Sequence, residues 1–296
     1  MKATSRLQLI TIAILGFGTQ QLLAADGDWP NWRGPTFNNV APAGSSAPTA
    51  FNETLNVAWK TDIPGRGHSS PIVVGDRVIL TTADESAQVQ SVICLSRETG
   101  EQLWKTDVHT GNFEKKIHKK NTHASPTPAW DGERLIVSFF NGGMVKLTAL
   151  TLEGKQIWQA QPGPYRGKYG YGYAVSPLLH GSNVIVSSDF ADGGFLVAFD
   201  RASGSETWRT PRAGTTSYSS PIITKAGGRD LVVISGDDKL ASYDPATGQP
   251  VWSAAGTTKA TCGTAVWDGD LIFASGGYPQ KGTIAVNAQS GTVAWK

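Results

Sequence analysis

A glycine followed four residues later by a tryptophan occurs five times in this chain: Gly100 with Trp104, Gly154 with Trp158, Gly204 with Trp208, Gly248 with Trp252, and Gly291 with Trp295. The copies are about 43 to 54 residues apart, and self-similarity at that period means a solenoid, a propeller or an array. The clearest copy runs from Leu196 to Trp208: a short apolar strand, a polar turn closed by Gly204, and a second strand carrying the indole. Each unit opens on a small residue and a proline, at Ser70-Pro71, Ser125-Pro126, Ser176-Pro177 and Ser220-Pro221, with Gly263-Thr264 degenerate in the fifth. A β-rich run follows, broken by Gly75-Asp76, Asp131-Gly132, Gly181-Ser182, Gly227-Gly228 or Asp268-Gly269. Such pairs favour the positive φ angles of tight hairpins.

Four antiparallel strands in roughly 45 residues make one propeller blade. The expected fold is therefore all-β, a propeller of four-stranded blades at about 69–107, 124–160, 175–210, 219–255 and 262–296. Leu55–Lys60 resembles the Trp-bearing strand without its three predecessors, so the ring reads as five full blades plus one orphan strand. Glycine in the polar turn supplies a positive φ without steric cost. Asp200, Asp244 and Asn287, four residues before their glycines, are placed to bond the turn amides. The tryptophan is expected to pack over the neighbouring blade, as a structural staple and not a ligand contact.

The chain before the repeats divides in two. Residues 1–25 read as a signal peptide: Lys2 and Arg6, an apolar run from Leu7 to Gly18, and small residues at Ala24-Ala25. That run is too short to span a bilayer comfortably. The expectation is export to the periplasm or beyond, with no transmembrane segment after cleavage. Residues 26–54 form an N-terminal strap, in which Trp29-Pro30-Asn31-Trp32 is expected to dock its rings on the domain at 55–296. Without Lys2 and Arg6 the 26 basic residues fall to 24, equal to the 24 acidic ones. A neutral balance gives no global attraction to nucleic acid or an anionic membrane. Cys94 and Cys262 are expected to be buried free thiols. No His/Cys set has metal-ligand spacing, so neither structural zinc nor another metal site is expected.

Asp200-x-x-x-Gly204-x-x-x-Trp208 and Asp244-Pro-Ala-Thr-Gly248-Gln-Pro-Val-Trp252 resemble the docking motif of pyrroloquinoline quinone (PQQ)-like β-propellers. That superfamily includes quinoprotein alcohol dehydrogenases and BamB-type outer-membrane assembly proteins. The opening Trp29–Pro35 is similar to the start of exported PQQ-like repeat proteins of bacteria such as planctomycetes. The likeness runs from Asp28 to Lys296, and its motif builds blades without binding quinone. Ser96 and Leu150 replace the motif's aspartate, so their turns are expected to be looser. The resemblance implies about eight blades, so the chain is expected to be a C-terminally truncated fragment lacking roughly 100 or more residues.

Two connections between blades are longer than the rest, His109–His123 and Gln161–Tyr173. Equivalent connections emerge on one face of a propeller, so these should be neighbours. They would assemble Lys115, Lys116, Lys119, Lys120, Arg166 and Lys168 beside Tyr165, Tyr169, Tyr171 and Tyr173, with His118 and His123 in hydrogen-bonding roles. Binding residues favour loops on a rigid scaffold. Such a rim suits an anionic glycan, a phosphorylated ligand or an acidic protein face; equally, it reads as a solvated charge run packed on a glycine-rich loop. Two function classes follow. One is a non-catalytic exported scaffold for binding or assembly. The other, implied by the resemblance, is a PQQ- and calcium-dependent dehydrogenase oxidising an alcohol or sugar, although those enzymes carry an adjacent cysteine pair that this chain lacks. Neither catalytic nor cofactor-binding residues are assigned.

Overall fold

The computed structural model describes residues 27–296 apart from positions 191, 213, 215, 226 and 227, so the signal segment at 1–25 lies outside the described residues. The first blade is β1 (Ile72–Val74), β2 (Arg77–Asp84), β3 (Val89–Ser96) and β4 (Gln102–Thr110). The second is β5 (Ala129–Trp130), β6 (Leu135–Asn141), β7 (Met144–Leu150) and β8 (Gln156–Pro164). The third is β9 (Leu178–His180), β10 (Asn183–Ser188), β11 (Phe195–Asp200) and β12 (Glu206–Pro211). The fourth is β13 (Ile222–Thr224), β14 (Leu231–Gly236), β15 (Lys239–Tyr243) and β16 (Pro250–Ala255), and the fifth β17 (Val266–Asp268), β18 (Leu271–Gly276), β19 (Gly282–Asn287) and β20 (Val293–Trp295). Each sheet pairs its four strands in chain order, all antiparallel. This is the β-propeller class.

The middle strands read as unbroken apolar runs because they are covered on both faces. All six residues of β10 and all six of β14 are buried, whereas the outer strand β12 alternates or is exposed. The core lies between neighbouring blades. One layer joins Ile79 and Val92 of the first blade to Leu135 and Val137 of the second. Equivalent layers join the second blade to the third, the third to the fourth, and the fourth to the fifth.

The glycine–tryptophan repeat is an inter-blade staple. The Trp104 indole donates to the Leu152 carbonyl at 3.1 Å, Trp158 to Arg201 at 3.1 Å, Trp208 to Pro245 at 3.2 Å and Trp252 to Ala288 at 2.7 Å. Each ring lies against the glycine of the following blade. A Cβ on Gly248 would stand 2.3 Å from the Trp208 ring, and that glycine has φ +71°. Glycine is thus required twice, for conformation and for close approach. The lone segment makes the same staple without the ladder. Trp59 donates to the Arg97 carbonyl at 2.8 Å and lies on Gly100, while residues 57–63 carry no named strand. A threonine two residues beyond the indole adds a bond to the glycine carbonyl, from Thr61, Thr106 and Thr210 at 2.6–2.7 Å.

The polar turns grade as their residues suggest. The Asp200 carboxylate accepts from the Ser203 amide and hydroxyl, both at 2.8 Å, and Asp244 and Asn287 repeat the arrangement on Thr247 and Ser290. These bonds favour the charged form and hold the Asp200 carboxyl below its ordinary value. At the two departures a hydroxyl substitutes with longer bonds: Ser96 accepts from the Thr99 amide at 3.2 Å, and Thr151 from Lys155 at 3.3 Å.

The strap docks where the inner strands turn back into the second strands. Trp29 pairs with Val73 through both backbone bonds, and the Pro30 carbonyl accepts from the Trp130 amide at 2.9 Å. Trp32 donates to Thr264 at 3.3 Å, and Asn38 exchanges two bonds with the Trp267 backbone. Residues 28–38 therefore touch the first, second and fifth blades. At the opposite end the hydroxyls before the opening prolines link blades in series: the Ser70 amide donates to Thr127, Thr127 to Ser176, and Ser176 to Ser220, at 2.9–3.0 Å. Thr127-Pro128, and not the expected Ser125-Pro126, thus holds the equivalent place in the second blade. Cys94 is buried and unbonded to its counterpart as expected; Cys262, expected inside, is exposed because it lies in a polar inter-blade connection.

Candidate functional site

The two long connections leave β4 and β8 at the end of the propeller opposite the strap, and they meet. Asn121 Nδ2 donates to the Tyr171 carbonyl at 2.6 Å, and the His118 ring stands edge-on to Tyr171 at 5.2 Å. Gly172, at φ +85°, admits the approach: a Cβ there would lie 2.6 Å from Asn121 and 3.2 Å from Ile117.

Polar side chains beneath hold the roots of the first connection. Gln90, fully buried, donates to the His123 carbonyl at 2.7 Å and the Phe140 carbonyl at 3.1 Å. Asn141 donates to Gly111 at 2.8 Å. His109 packs edge-on against Phe139 with its Nε2 unpartnered, and desolvation, aided by Lys146, lowers its pKa to about 4. His123 stacks on Phe113 at 4.2 Å, and burial lowers its pKa as well. His118 accepts from the Lys120 amide at 3.2 Å.

The second connection is anchored by aromatic packing. Tyr165 and Tyr173 are buried with Val145, Val175 and Tyr218, and their hydroxyls donate to Gly172 at 3.0 Å and Ser187 at 3.1 Å. Burial raises both phenols far above their ordinary value. Tyr169 and Tyr171 stack at 5.3 Å and are half-buried, with the Lys168 ammonium 5.6 Å from the Tyr169 centroid. Lys115, Lys116, His118, Lys119, Lys120, Arg166 and Lys168 are exposed. The twelve residues of the expected rim thus divide into six exposed cations with the exposed His118, the half-buried His123, Tyr169 and Tyr171, and the buried pair Tyr165 and Tyr173 that supports them.

Between the connections lies a cleft of about 440 Å³. Phe140, Met144, Pro164 and Tyr165 line it, with Glu114, Lys116 and Arg166 among its polar residues. Glu114 and the hairpin at Gly143-Met144 are contributors that sequence reasoning missed. The hairpin belongs to the second blade's β6–β7 turn, and no spacing linked it to the insertions. A buried pair went unseen as well. Arg212 makes two bonds to Asp189, at 2.7 and 2.9 Å, and a third to the Tyr243 hydroxyl. Burial opposes the Arg212 charge, yet Asp189 and Tyr243 outweigh it and raise the guanidinium's pKa. Asp237-Asp238, both at positive φ, forms the β14–β15 hairpin turn.

The donor set of the described residues does not fit a quinone–calcium group. Among the described residues no three His, Cys, Asp or Glu side chains are grouped as metal ligands. Cys94 lies inside the first blade and Cys262 at the entrance to the fifth, so no adjacent cysteine pair exists.

Five four-stranded blades, the first four each stapled by an indole to the glycine of the next, define a PQQ-like repeat propeller. Trp295 of the fifth, expected to dock like the others, is 48% exposed and meets no such glycine among the described residues. The family model described as outer membrane protein assembly factor BamB matches residues 41–161 and 88–296. The chain belongs to that family. Relatives include a polyvinylalcohol dehydrogenase of a Pseudomonas species, 24% identical over 64% of this chain and 29% of its own length. Another is the outer membrane protein assembly factor BamB of Nitrosomonas eutropha, 28% identical over 57% of this chain and 38% of its own. The chain therefore matches well under half of either relative. Among solved structures, the quinohemoprotein alcohol dehydrogenase of Comamonas testosteroni aligns with TM-score 0.62 at 14% identity, over 91% of this chain and 49% of that one. BamB of Moraxella catarrhalis aligns with TM-score 0.51 at 18% identity, over 77% and 59%. At these identities the structures speak for the fold alone.

Proposed function

We propose that this chain belongs to an exported, non-catalytic propeller that serves as a binding or assembly scaffold. The observation that carries the reading is the union of the 109–123 and 161–173 connections into one surface of exposed cations over a packed aromatic base. The binding residues are the exposed Lys115, Lys116, Lys119, Lys120, Arg166 and Lys168, flanked by His118, His123, Tyr169 and Tyr171. Tyr165 and Tyr173 act from below. The partner is a protein with an acidic face or an anionic glycan, and not nucleic acid. Family membership with BamB supports an assembly role. Residues 1–25 serve as the export signal and 26–54 as the strap of the propeller at 55–296. No described helix is long and apolar enough to cross a membrane.

A second reading, a PQQ- and calcium-dependent dehydrogenase acting on an alcohol or sugar, draws on the likeness to polyvinylalcohol dehydrogenase. Titration with PQQ and Ca²⁺, followed by dye-linked alcohol oxidation, separates the two. The scaffold reading expects neither retained quinone absorbance nor turnover; retained quinone with turnover would overturn it.

A further inference from the structure

The cleft between the connections differs from the lysine-rich surface around it. Its volume, about 440 Å³, lies in the range of small-ligand sites. Its lining joins the rings of Phe140 and Tyr165 to a carboxylate, Glu114, and a guanidinium, Arg166. Arg166 is 71% exposed, and its ion pair with Asp192 is 4.0 Å long, so the fork remains accessible to a second acid. Rings, a hydroxyl acceptor and a planar cation in one concavity match a pyranose ring that carries a carboxylate. The ring presents a weakly polar face to the aromatics, its hydroxyls donate to a carboxylate, and its own acid takes the two parallel bonds of an arginine.

The surroundings say how many such rings there are. Lys115, Lys119, Lys120 and Lys168 are exposed outside the cleft. A single monosaccharide leaves them unused, whereas a chain charged at every sugar engages them in passing. An extended acidic peptide suits the cleft less well. A peptide docking by strand addition needs main-chain bonds along an edge, but β8 ends here in Pro162-Gly163-Pro164, where two of three residues have no N–H.

We propose that the cleft holds one uronic acid residue of an acidic polysaccharide, with Arg166 on the carboxylate, Glu114 on the hydroxyls, Tyr165 and Phe140 against the ring, and the outer lysines following the polymer. The proposal rests on reading the loop face as a binding surface, and it names what that surface takes.

Calorimetric titration of the chain with hexagalacturonate tests it. Hexagalacturonate binds, cellohexaose gives no heat, and hexaglutamate, which offers charge without rings, binds at least about ten-fold more weakly. Arg166→Gln and Glu114→Gln each weaken hexagalacturonate by about ten-fold or more while keeping the wild-type Tm, because both side chains are exposed or half-exposed. Absence of binding at millimolar hexagalacturonate would overturn the assignment. So would equal binding of hexaglutamate, stronger binding of oligo(dT), or unchanged affinity in both variants. None of these titrations detects quinone-dependent turnover, so failure here and failure of the scaffold reading are told apart.

Discussion

Trp208 shows what one side chain of the repeat contributes. Its indole lies half-buried against Gly248 and donates to Pro245, and Thr210 follows with a bond to the Gly248 carbonyl. Truncation removes the ring and leaves a void beside a glycine that cannot fill it. Trp208→Ala should therefore cost about 3–5 kcal/mol, read from denaturant melts. His109 acts through charge. Its folded pKa of about 4 lies below the ordinary 6.5, so the unfolded chain takes up the proton first as pH falls. The stability it contributes is fully present above about pH 6.5 and is lost as pH drops toward 4, by up to about 3 kcal/mol in all. His109→Phe should flatten that part of the stability–pH profile; an unchanged slope between pH 6.5 and 4 would show that other groups set it.

At the scale of the element, the fourth strand carries the same irregularity in every blade. The ladder slips beside the tryptophan, between Cys94 and Leu95, Ala149 and Leu150, Ala198 and Phe199, Ser242 and Tyr243, and Ala285 and Val286. A bulge re-aims the neighbouring side chain, and the residue opposite each indole is small: Cys94, Ala149, Ala198, Ser242 or Ala285. Cys94 is thus the first blade's version of an alanine position. Cys94→Ala should change stability by less than about 1.5 kcal/mol, as a near-isosteric swap does. Cys94→Leu should destabilise by more, through overpacking against Trp104. Thermal melts of the pair check both.

At the scale of the whole molecule, the two ends of the inner strands have separate tasks. One end is covered by the strap, which ties the first, second and fifth blades together. The other carries the insertions, held from beneath by Gln90, Asn141 and the tyrosine cluster. The lysines stand outside this framework, with no ion pair among the described residues for Lys115, Lys116, Lys119 or Lys120. Neutralising all four to Gln should leave the Tm nearly unchanged while weakening an anionic ligand and reducing the salt dependence of its binding. A large fall in Tm would assign them to the framework.

The blade, the staple and the meeting of the two insertions were legible in the chain because they depend on local pattern. The Gly-x-x-x-Trp spacing recurs in every blade, while a turn aspartate or its substitute and a hydroxyl–proline opening recur in most of them. The cleft was not legible. Glu114 and Arg166 belong to two separate connections and Phe140 to strand β6, and Arg212 reaches Asp189 across 23 positions without a repeated spacing. Nor did the count of polar residues distinguish Tyr165, buried with its hydroxyl on Gly172, from the half-buried Tyr169. Periodicity tells which face of a strand meets the next sheet, since that follows from a two-residue alternation. Which turns converge at the end of those sheets depends on how the blades stack, and only the packed molecule decides that.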